Sequence, residues 1–222
     1  MNWQDLTPTN NIYIPGLARA GEVPEEKFTG LVRTKTWYSD EEVAWLPFIS
    51  RKHPRHREWL QRQHSCRRLI RYLALQKKAV NILEIGCGNG WLSYQLSTIP
   101  GSRVIGLDPD YLELTQAARV FRRQPNLKFI YGDFHSDVLQ GLHFDIIVIA
   151  ASIELLAFPD KLITTTLQYL SPDGEIHILD SRIRRTHELV KFPHRYLYDP
   201  GSVWNRLFHK NDPHPWICIK HP

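Results

Sequence analysis

Residues 81–93 read NILEIGCGNGWLS. A short apolar run suited to a buried strand is followed by glycines at every second position, Gly86, Gly88 and Gly90, and then by residues suited to a helix. Glycine allows a ligand to approach the backbone closely, and in open α/β sheets ligands bind beyond the carboxyl ends of the strands. The stretch therefore predicts a strand–turn–helix unit with a ligand against the turn.

Two common phosphate-binding loops do not fit this turn. A Walker loop needs Gly-Lys-Ser/Thr, but Gly90 is followed by Trp91. A dinucleotide fingerprint needs a small residue at position 91, where Trp91 again stands. Glu84, two residues before Gly86, suits a ligand that carries an ammonium or sulfonium charge.

The rest of the chain alternates strand and helix patterns. Further strands are predicted at SRVIGLD, LKFIYGD, FDIIVIAAS and EIHILDS, and helices at YLELTQAARVFRRQ and PDKLITTTLQYL, the latter ended by a turn at residues 171–174. Such alternation predicts an α/β fold with a Rossmann-like, doubly wound, mostly parallel seven-stranded sheet. Two β-like runs around residues 211–213 predict an antiparallel edge hairpin, and residues 180–201 are expected to hold only a short helix.

Residues 1–50 are predicted to form an N-terminal cap over a main domain at residues 51–222, since they are rich in proline and aromatics and lack sustained periodicity. Ser39 and the acids after it predict a helix that ends near Leu46.

Residues 51–78 carry ten Lys or Arg and one acid, Glu58, in a chain of net charge +5. This basic segment is either a surface that binds nucleic acid or, as we favour, an amphipathic helix with a solvated basic face. Its predicted apolar positions are Trp59, Cys66, Leu69, Ile70, Leu73 and Ala74.

Composition narrows the class of protein further. Three widely spaced cysteines fit neither a disulfide framework nor a zinc pattern, so no metal site is predicted. Neither a secretory signal nor a membrane-spanning run is apparent, so a cytoplasmic protein is expected.

LEIGCGNG resembles the first motif of class I S-adenosylmethionine-dependent methyltransferases, and the resemblance extends over residues 80–181. It implies S-adenosyl-L-methionine as the cofactor. Asp108, twenty-two residues after Gly86, is placed to accept hydrogen bonds from ribose hydroxyls, or else it caps the next helix. The resemblance further implies that Asp133 meets the adenine amino group, that Phe134 flanks the ring, and that Glu84 orders the turn and the methionine amino end. The predicted cofactor-binding residues are Glu84, Gly86, Cys87, Gly88, Asp108, Pro109, Asp133, Phe134 and Ala150.

The methionine carboxylate has weaker candidates in Arg55, Arg57 and Tyr38. Cys87 is expected to line the turn without reacting.

The methyl acceptor is expected to face residues 150–160, which read AASIELLAFPD. The segment lacks the Asn/Asp-Pro-Pro-Tyr/Phe signature of enzymes that methylate base amines, and it resembles the corresponding stretch of small-molecule methyltransferases. Leu155 and Leu156 stand where a histidine often follows the glutamate in those enzymes, so the catalytic base is left unassigned. The alternatives for this base are Glu154, His135, His194 and His209.

Aromatic residues of the cap and the late region are expected to shape the acceptor pocket, which is either open or completed by a second subunit. They are Trp37, Tyr38, Trp45, Tyr196, Tyr198, Trp204 and Trp216.

These observations favour a methyltransferase acting on a small molecule. The alternatives are an RNA methyltransferase that holds phosphates with residues 51–78 and a non-catalytic S-adenosylmethionine-binding protein. A Rossmann oxidoreductase is disfavoured by Trp91 and Glu84.

Overall fold

The computed structural model describes residues 12–13, 38–76, 78–132, 139–152, 159–181, 192–198 and 215–220. In chain order the elements are β1 (Ile12–Tyr13), α1 (Asp40–Trp45), α2 (His56–Leu75), β2 (Val80–Ile85), α3 (Trp91–Ser97), β3 (Ser102–Asp108), α4 (Tyr111–Val120), β4 (Leu127–Tyr131), β5 (Phe144–Ala150), α5 (Pro159–Leu167), β6 (Leu170–Leu179), β7 (His194–Tyr198) and β8 (Trp216–Lys220).

The strands form one sheet in the order β1-β4-β3-β2-β5-β6-β8-β7. Strands β1 to β6 pair in parallel, whereas β8 is antiparallel to both β6 and β7. The chain winds outward from β2 in one direction through β3 and β4, and in the other through β5 and β6. The predicted Rossmann-like, doubly wound sheet with an antiparallel edge is therefore confirmed, and the described sheet has eight strands because β1 pairs with β4.

The central strands are apolar on both faces because helices cover both. One core cluster joins residues such as Ile82 and Val148 to α2, α3 and α4. The other joins Leu83 and Ile147 to α5 through Leu162. A strand buried on both sides reads as a continuous apolar run, which explains why these strands could be recognised in the sequence.

The antiparallel edge differs in detail from the prediction. Its first strand, β7, lies within residues 180–201, the segment that was expected to hold only a short helix. Strand β8 then enters between β6 and β7, so the edge is formed by strands separated by a long connection. The run predicted as the hairpin's first strand falls in residues 199–214, outside the described ranges.

Strand β6 begins earlier than its sequence suggests. The turn signal at residues 171–174 lies inside the strand, and α5 ends at Leu167. Phe144 pairs with Leu170 and Ile146 pairs with Glu175, so the four intervening residues are absorbed as an irregularity in the β5–β6 ladder. A turn-forming sequence is thus accommodated without ending the strand.

Helix α1 is docked on α4 by polar contacts. Ser39 and Glu42 form a reciprocal capping box at its start. The Asp40 carboxylate accepts hydrogen bonds from Arg119 Nε at 2.6 Å and Nη2 at 2.7 Å, and these bonds lower the pKa of Asp40 to about 2. The boundary between a cap and a main domain at residues 50 and 51 stays a prediction.

Helix α2 lies across the sheet with Trp59, Cys66, Leu69 and Leu73 buried, as predicted. Ala74 is exposed instead, since it is turned about 100° from Leu73 around the helix axis. None of the helices in the described ranges combines the length and apolar composition needed to cross a membrane.

Candidate functional site

The glycine turn joins β2 to α3 and is tightly packed against the rest of the protein. Gly86, Gly88 and Gly90 have φ angles of +75°, +52° and +73°, which disfavour residues with side chains. A Cβ atom on Gly86 would lie 2.7 Å from Ser152 Cβ, and one on Gly90 would lie 2.7 Å from two ring atoms of Phe129. The structure thus gives a reason for these glycines that the sequence did not: the protein's own side chains fill the space.

Asp108 ends β3 beside this turn and is 8% exposed. Its Oδ2 accepts a hydrogen bond from Gly88 N at 2.7 Å, and its Oδ1 accepts one from Asp110 N at 2.7 Å. The cap of α4 is Asp110, which accepts bonds from Leu112 N and Glu113 N at 3.1 Å each. Asp108 therefore orders the glycine turn, and the alternative that it caps α4 is wrong.

A carboxylate has about four acceptor positions. An acid held in this way can also receive hydroxyl donors such as those of a ribose. The geometry of Asp108 therefore fits the ribose hydroxyls that the sequence analysis proposed as its partners.

Glu84 lies inside β2 and is 3% exposed. Burial raises the pKa of this carboxyl to about 8, the hydrogen bond from the Ser93 hydroxyl opposes the rise, and the charge of Asp108 adds to it. Two acids near one turn make a site that favours cations, since the negative charge of Asp108 disfavours the ionised form of Glu84 and a bound cation would offset it. A ligand with a positively charged ammonium or sulfonium group fits such a site.

Cys87 is buried between the turn and β3, and a Cβ on Gly106 would lie 2.8 Å from its Sγ. Burial raises the pKa of the thiol well above its ordinary value, and the nearby acids raise it further. The thiol is therefore neutral near pH 7 and unsuited to act as a nucleophile.

The end of β5 completes the described part of the site. Ala150 is the last residue of the strand, and Ala151 takes a φ of +52° with its N–H donating to Leu179 O at 3.0 Å. The Ser152 hydroxyl donates to Ile85 O at 3.2 Å, which ties this segment to the glycine turn. β2 and β5 are neighbours at the point where the strand order reverses, the usual ligand position in such sheets.

The structure thus gathers most of the predicted cofactor-binding residues at one edge of the sheet. Glu84, Gly86, Cys87, Gly88, Asp108 and Ala150 lie at the carboxyl ends of β2, β3 and β5, and the exposed Pro109 follows Asp108. Asp133 and Phe134 lie outside the described residues. Gly132 N donates to Asp108 O at 3.1 Å, so the chain leaves β4 beside Asp108.

Ser93 and Ser152 contribute to the site and were missed in the sequence. Ser93 follows Glu84 by nine residues across a turn, and Ser152 contacts β2 from a different strand. Their sequence signal is weak because serine is common at helix starts and in loops.

Several residues predicted to contact the methionine carboxylate or the methyl acceptor make other contacts in the structure. Arg55 forms an ion pair with Glu58 at 2.8 Å, and the Tyr38 hydroxyl accepts a hydrogen bond from Trp59 Nε1 at 2.8 Å. Arg57 is exposed on α2. Tyr198 and Trp216 are buried in the core. Glu154, His135, His209, Trp37 and Trp204 lie outside the described residues.

A cavity of about 420 Å³ lies at the other end of the sheet, where β2 begins. Its lining includes Tyr72, Lys78, Glu175, Arg195 and Lys220. This cavity shares no lining residue with the glycine turn, so it marks a different place from Glu84 and Asp108. The two acids and the reversal of the strand order locate the candidate site.

Comparison with known proteins identifies the family to which this fold belongs. The model of the family described as "Methyltransferase domain" matches residues 76–217. That is well over half of the chain, and the protein belongs to this family. Malonyl-[acyl-carrier protein] O-methyltransferase from Halalkalibacterium halodurans is 31% identical over 97 residues, which cover 42% of this chain and 36% of the relative. The chain thus matches about a third of that relative's length.

Solved structures share the fold at low sequence identity. The plantazolicin methyltransferase BpumL in complex with SAH aligns over 82% of this chain and 95% of its own, with 17% identity and a TM-score of 0.52. EvdMO1 aligns over 70% of this chain and 41% of its own, with 16% identity and a TM-score of 0.55.

Proposed function

We propose that the protein binds S-adenosyl-L-methionine at the glycine turn and transfers its methyl group to a small molecule. The observation that carries the proposal is the pair of buried acids, Glu84 and Asp108, at the turn between β2 and α3 of a methyltransferase-family fold. The cofactor would supply a methyl group on a sulfonium, which passes to the acceptor as the carbon–sulfur bond breaks and S-adenosylhomocysteine leaves.

The chain's own residues would bind and orient. Asp108 would receive the ribose hydroxyls while it holds Gly88 N, and Glu84 would favour the cationic end of the ligand from behind the turn. Asp133 and Phe134 remain the proposed contacts of the adenine. Alignment of donor and acceptor is the main requirement of such a transfer.

A small-molecule acceptor is supported by two observations. Residues 150–160 lack the signature of base-amine methyltransferases. The curated relative acts, by its name, on a malonyl group carried by a protein, so carboxylic acids are the first class of acceptor to screen.

The first test is calorimetric titration with S-adenosylmethionine, S-adenosylhomocysteine and, as control, NAD. Saturable binding of the first two and none of NAD is expected. Binding of NAD alone, or of none of the three, would contradict the proposed site.

Asp108→Asn tests the site itself. This change leaves the shape of the side chain but removes its charge, and about one hundredfold weaker cofactor binding is expected because a charged acceptor to the turn and the ribose is lost. Asp173→Asn, at an exposed acid of β6, is the matched control. Wild-type affinity in Asp108→Asn would show that the ligand lies elsewhere.

Acceptor transfer is measured as S-adenosylhomocysteine formed from wild-type protein with panels of carboxylic acids, amines and phenols. Turnover with one of these classes is the expected result. Cofactor binding without turnover on any panel would favour a non-catalytic binding protein.

A further inference from the structure

The solvent face of α2 forms a continuous basic stripe. Arg57, His64, Arg67, Arg71 and Leu75 are exposed and recur at intervals of seven, three, four and four residues. These intervals place the side chains on one side of the helix, opposite the buried residues that pack on the sheet. The stripe is about 27 Å long, at 1.5 Å per residue.

Within the described ranges, the positive charge of this basic stripe is not neutralised by an ion pair. Glu58 is the acid of α2, and it is engaged by Arg55 Nε and Arg62 Nη2, each at 2.8 Å. Among the residues that the structure describes, no carboxylate forms an ion pair with the three arginines of the stripe.

One exposed aromatic ring, Phe48, adjoins the stripe, and a second, Trp45, lies three residues before it, with Phe48 N donating to Trp45 O at 2.7 Å. Trp45 is 71% exposed and Phe48 is 48% exposed. The guanidinium carbon of Arg67 lies 5.6 Å from the centroid of the Phe48 ring, so the Phe48 ring is continuous with the basic stripe. Large rings left in water beside unneutralised arginines are the arrangement on which unpaired bases stack while phosphates meet the charges.

We propose that the stripe, together with Trp45 and Phe48, binds single-stranded nucleic acid. The arginines would contact successive phosphates, and the two rings would stack on bases. A duplex offers phosphates but keeps its bases stacked internally, and an acidic peptide offers charge without bases. The inference concerns binding on α2 and stands independently of the proposed methyl transfer.

Fluorescence anisotropy with labelled twelve-nucleotide oligo(U) and oligo(dT), between 50 and 200 mM salt, tests the charge component. The logarithm of affinity falls with the logarithm of salt by about 0.7 for each phosphate contacted on a single strand. The Arg67→Gln, Arg71→Gln double variant should therefore lower this slope by about 1.4. The matched control, Arg122→Gln with Arg123→Gln, neutralises two exposed arginines after α4 and should leave the slope unchanged.

Trp45→Ala tests the stacking component separately. Loss of one stacked base should weaken binding about tenfold while the salt slope stays constant. Tyr196→Ala removes an exposed ring at the far edge of the sheet and should have no effect. Unchanged melting temperature and S-adenosylhomocysteine binding establish that each variant is folded.

Several outcomes would overturn the proposal. The first is the absence of saturable oligonucleotide binding at 50 mM salt, and the second is tighter binding of a duplex of the same length. The third is a twelve-residue polyglutamate that binds as tightly as oligo(U), together with a Trp45→Ala variant that binds oligo(U) as the wild type does. Preference for oligo(U) over oligo(dT) would support it and identify RNA, and equal binding would support it for single strands of both kinds.

Discussion

Glu84 shows how one buried side chain can couple ligand binding to protons. Its carboxyl group is buried in the sheet, receives a hydrogen bond from the Ser93 hydroxyl and lies near the charge of Asp108. With a pKa of about 8, it is largely protonated at neutral pH. A cationic ligand stabilises the ionised form and so must displace this proton.

We therefore expect the affinity for S-adenosylmethionine to rise with pH up to about 8, by at most tenfold per unit. The sign follows because the proton is bound in the free protein and released in the complex. Calorimetry at pH 6.5, 7.5 and 8.5, in buffers of different ionisation enthalpy, measures both the affinity and the released proton.

Glu84→Gln should remove this dependence, since the amide cannot ionise. A variant that kept the wild-type pH profile would assign the effect to another group. A comparison of S-adenosylmethionine with S-adenosylhomocysteine separates the contribution of the sulfonium from that of the ammonium.

The location of two residues of the candidate site could be predicted from the sequence. Glu84 and Asp108 were identified because each lies at a fixed distance from Gly86 in a strand–turn–helix pattern. Ser93 and Ser152 could not be identified from the sequence, because their contacts depend on how α3 and β5 are oriented towards β2. The close packing behind the glycines also follows from three-dimensional contacts that spacing does not contain.

At the scale of one element, helix α3 also depends on contacts that residue spacing does not contain. Its N-cap is Gly90, whose φ is +73°, and its first turn packs through Trp91 on Trp59 of α2, with ring centroids 5.2 Å apart. The bulky residue that spoils a dinucleotide fingerprint therefore joins two helices of the core. Phe129 and Ala117 fill the space beside Gly90.

Gly90→Ala should therefore destabilise the protein more than Gly101→Ala. Both residues have positive φ, which costs an alanine about 1–2 kcal/mol. A Cβ on Gly90 would also lie 2.7 to 2.8 Å from Phe129 and Ala117, whereas one on Gly101 meets its nearest atom at 3.4 Å. Overpacking adds about 1–3 kcal/mol.

Urea unfolding of the two variants measures this difference. Equal losses of stability would mean that the protein repacks around Gly90 without strain.

Elements with a strong apolar pattern were predictable, and the exceptions have physical reasons. Strand β1 has two described residues, too few to show a period. In β7 the register with β8 shifts between Tyr196 and Tyr198, which breaks the alternation of a regular strand. The start of β6 could not be predicted because residues 171–174 have a turn-forming sequence but lie inside the strand, as an irregularity in its pairing with β5.

At the scale of the whole molecule, a buried polar cluster joins α2 to the antiparallel edge. Glu175 is 5% exposed and its carboxylate oxygens accept bonds from the Tyr72 hydroxyl at 3.0 and 2.8 Å. Lys220 Nζ lies 3.1 Å away and Arg195 Nη2 lies 3.3 Å away. This cluster connects residues that are more than one hundred positions apart in the chain.

Glu175, His177 and Cys218 of this cluster offer possible ligand atoms within 4.8 Å of one another. The Trp216 indole N–H donates to His177 Nδ1 at 3.1 Å, and an indole nitrogen can only donate. The other nitrogen, Nε2, therefore carries the imidazole proton and is unsuited to bind a metal. It lies 3.3 Å from Glu175, so the contacts favour a proton-linked network.

This network should make the protein sensitive to acid. Burial alone would raise the pKa of Glu175, but bonds from His177, Tyr72 and Lys220 outweigh it and hold the pKa at about 2. A lowered pKa contributes stability that is present above the unfolded value of about 4.5 and lost as pH falls towards 2. Burial also lowers the pKa of His177, which acts in the same direction.

Glu175→Gln should lower the free energy of unfolding by about 2 kcal/mol at pH 6 and by much less at pH 3. The value at pH 6 is smaller than the full pKa shift of Glu175 would give, because Arg195 and Lys220 are half exposed and solvent screens their charges. Urea unfolding of wild type and variant at both pH values measures this. A cost that is the same at pH 3 and pH 6 would show that Glu175 acts through packing and not through its charge.

The position of β8 has a consequence for synthesis. It pairs with β6 along Ile176 and Ile178 but is translated after every other described strand. While the ribosome is still making the chain, β6 presents an open apolar edge of the kind that pairs with other polypeptides. Translation speed and chaperone supply should therefore govern how much of the newly made protein reaches the soluble fraction.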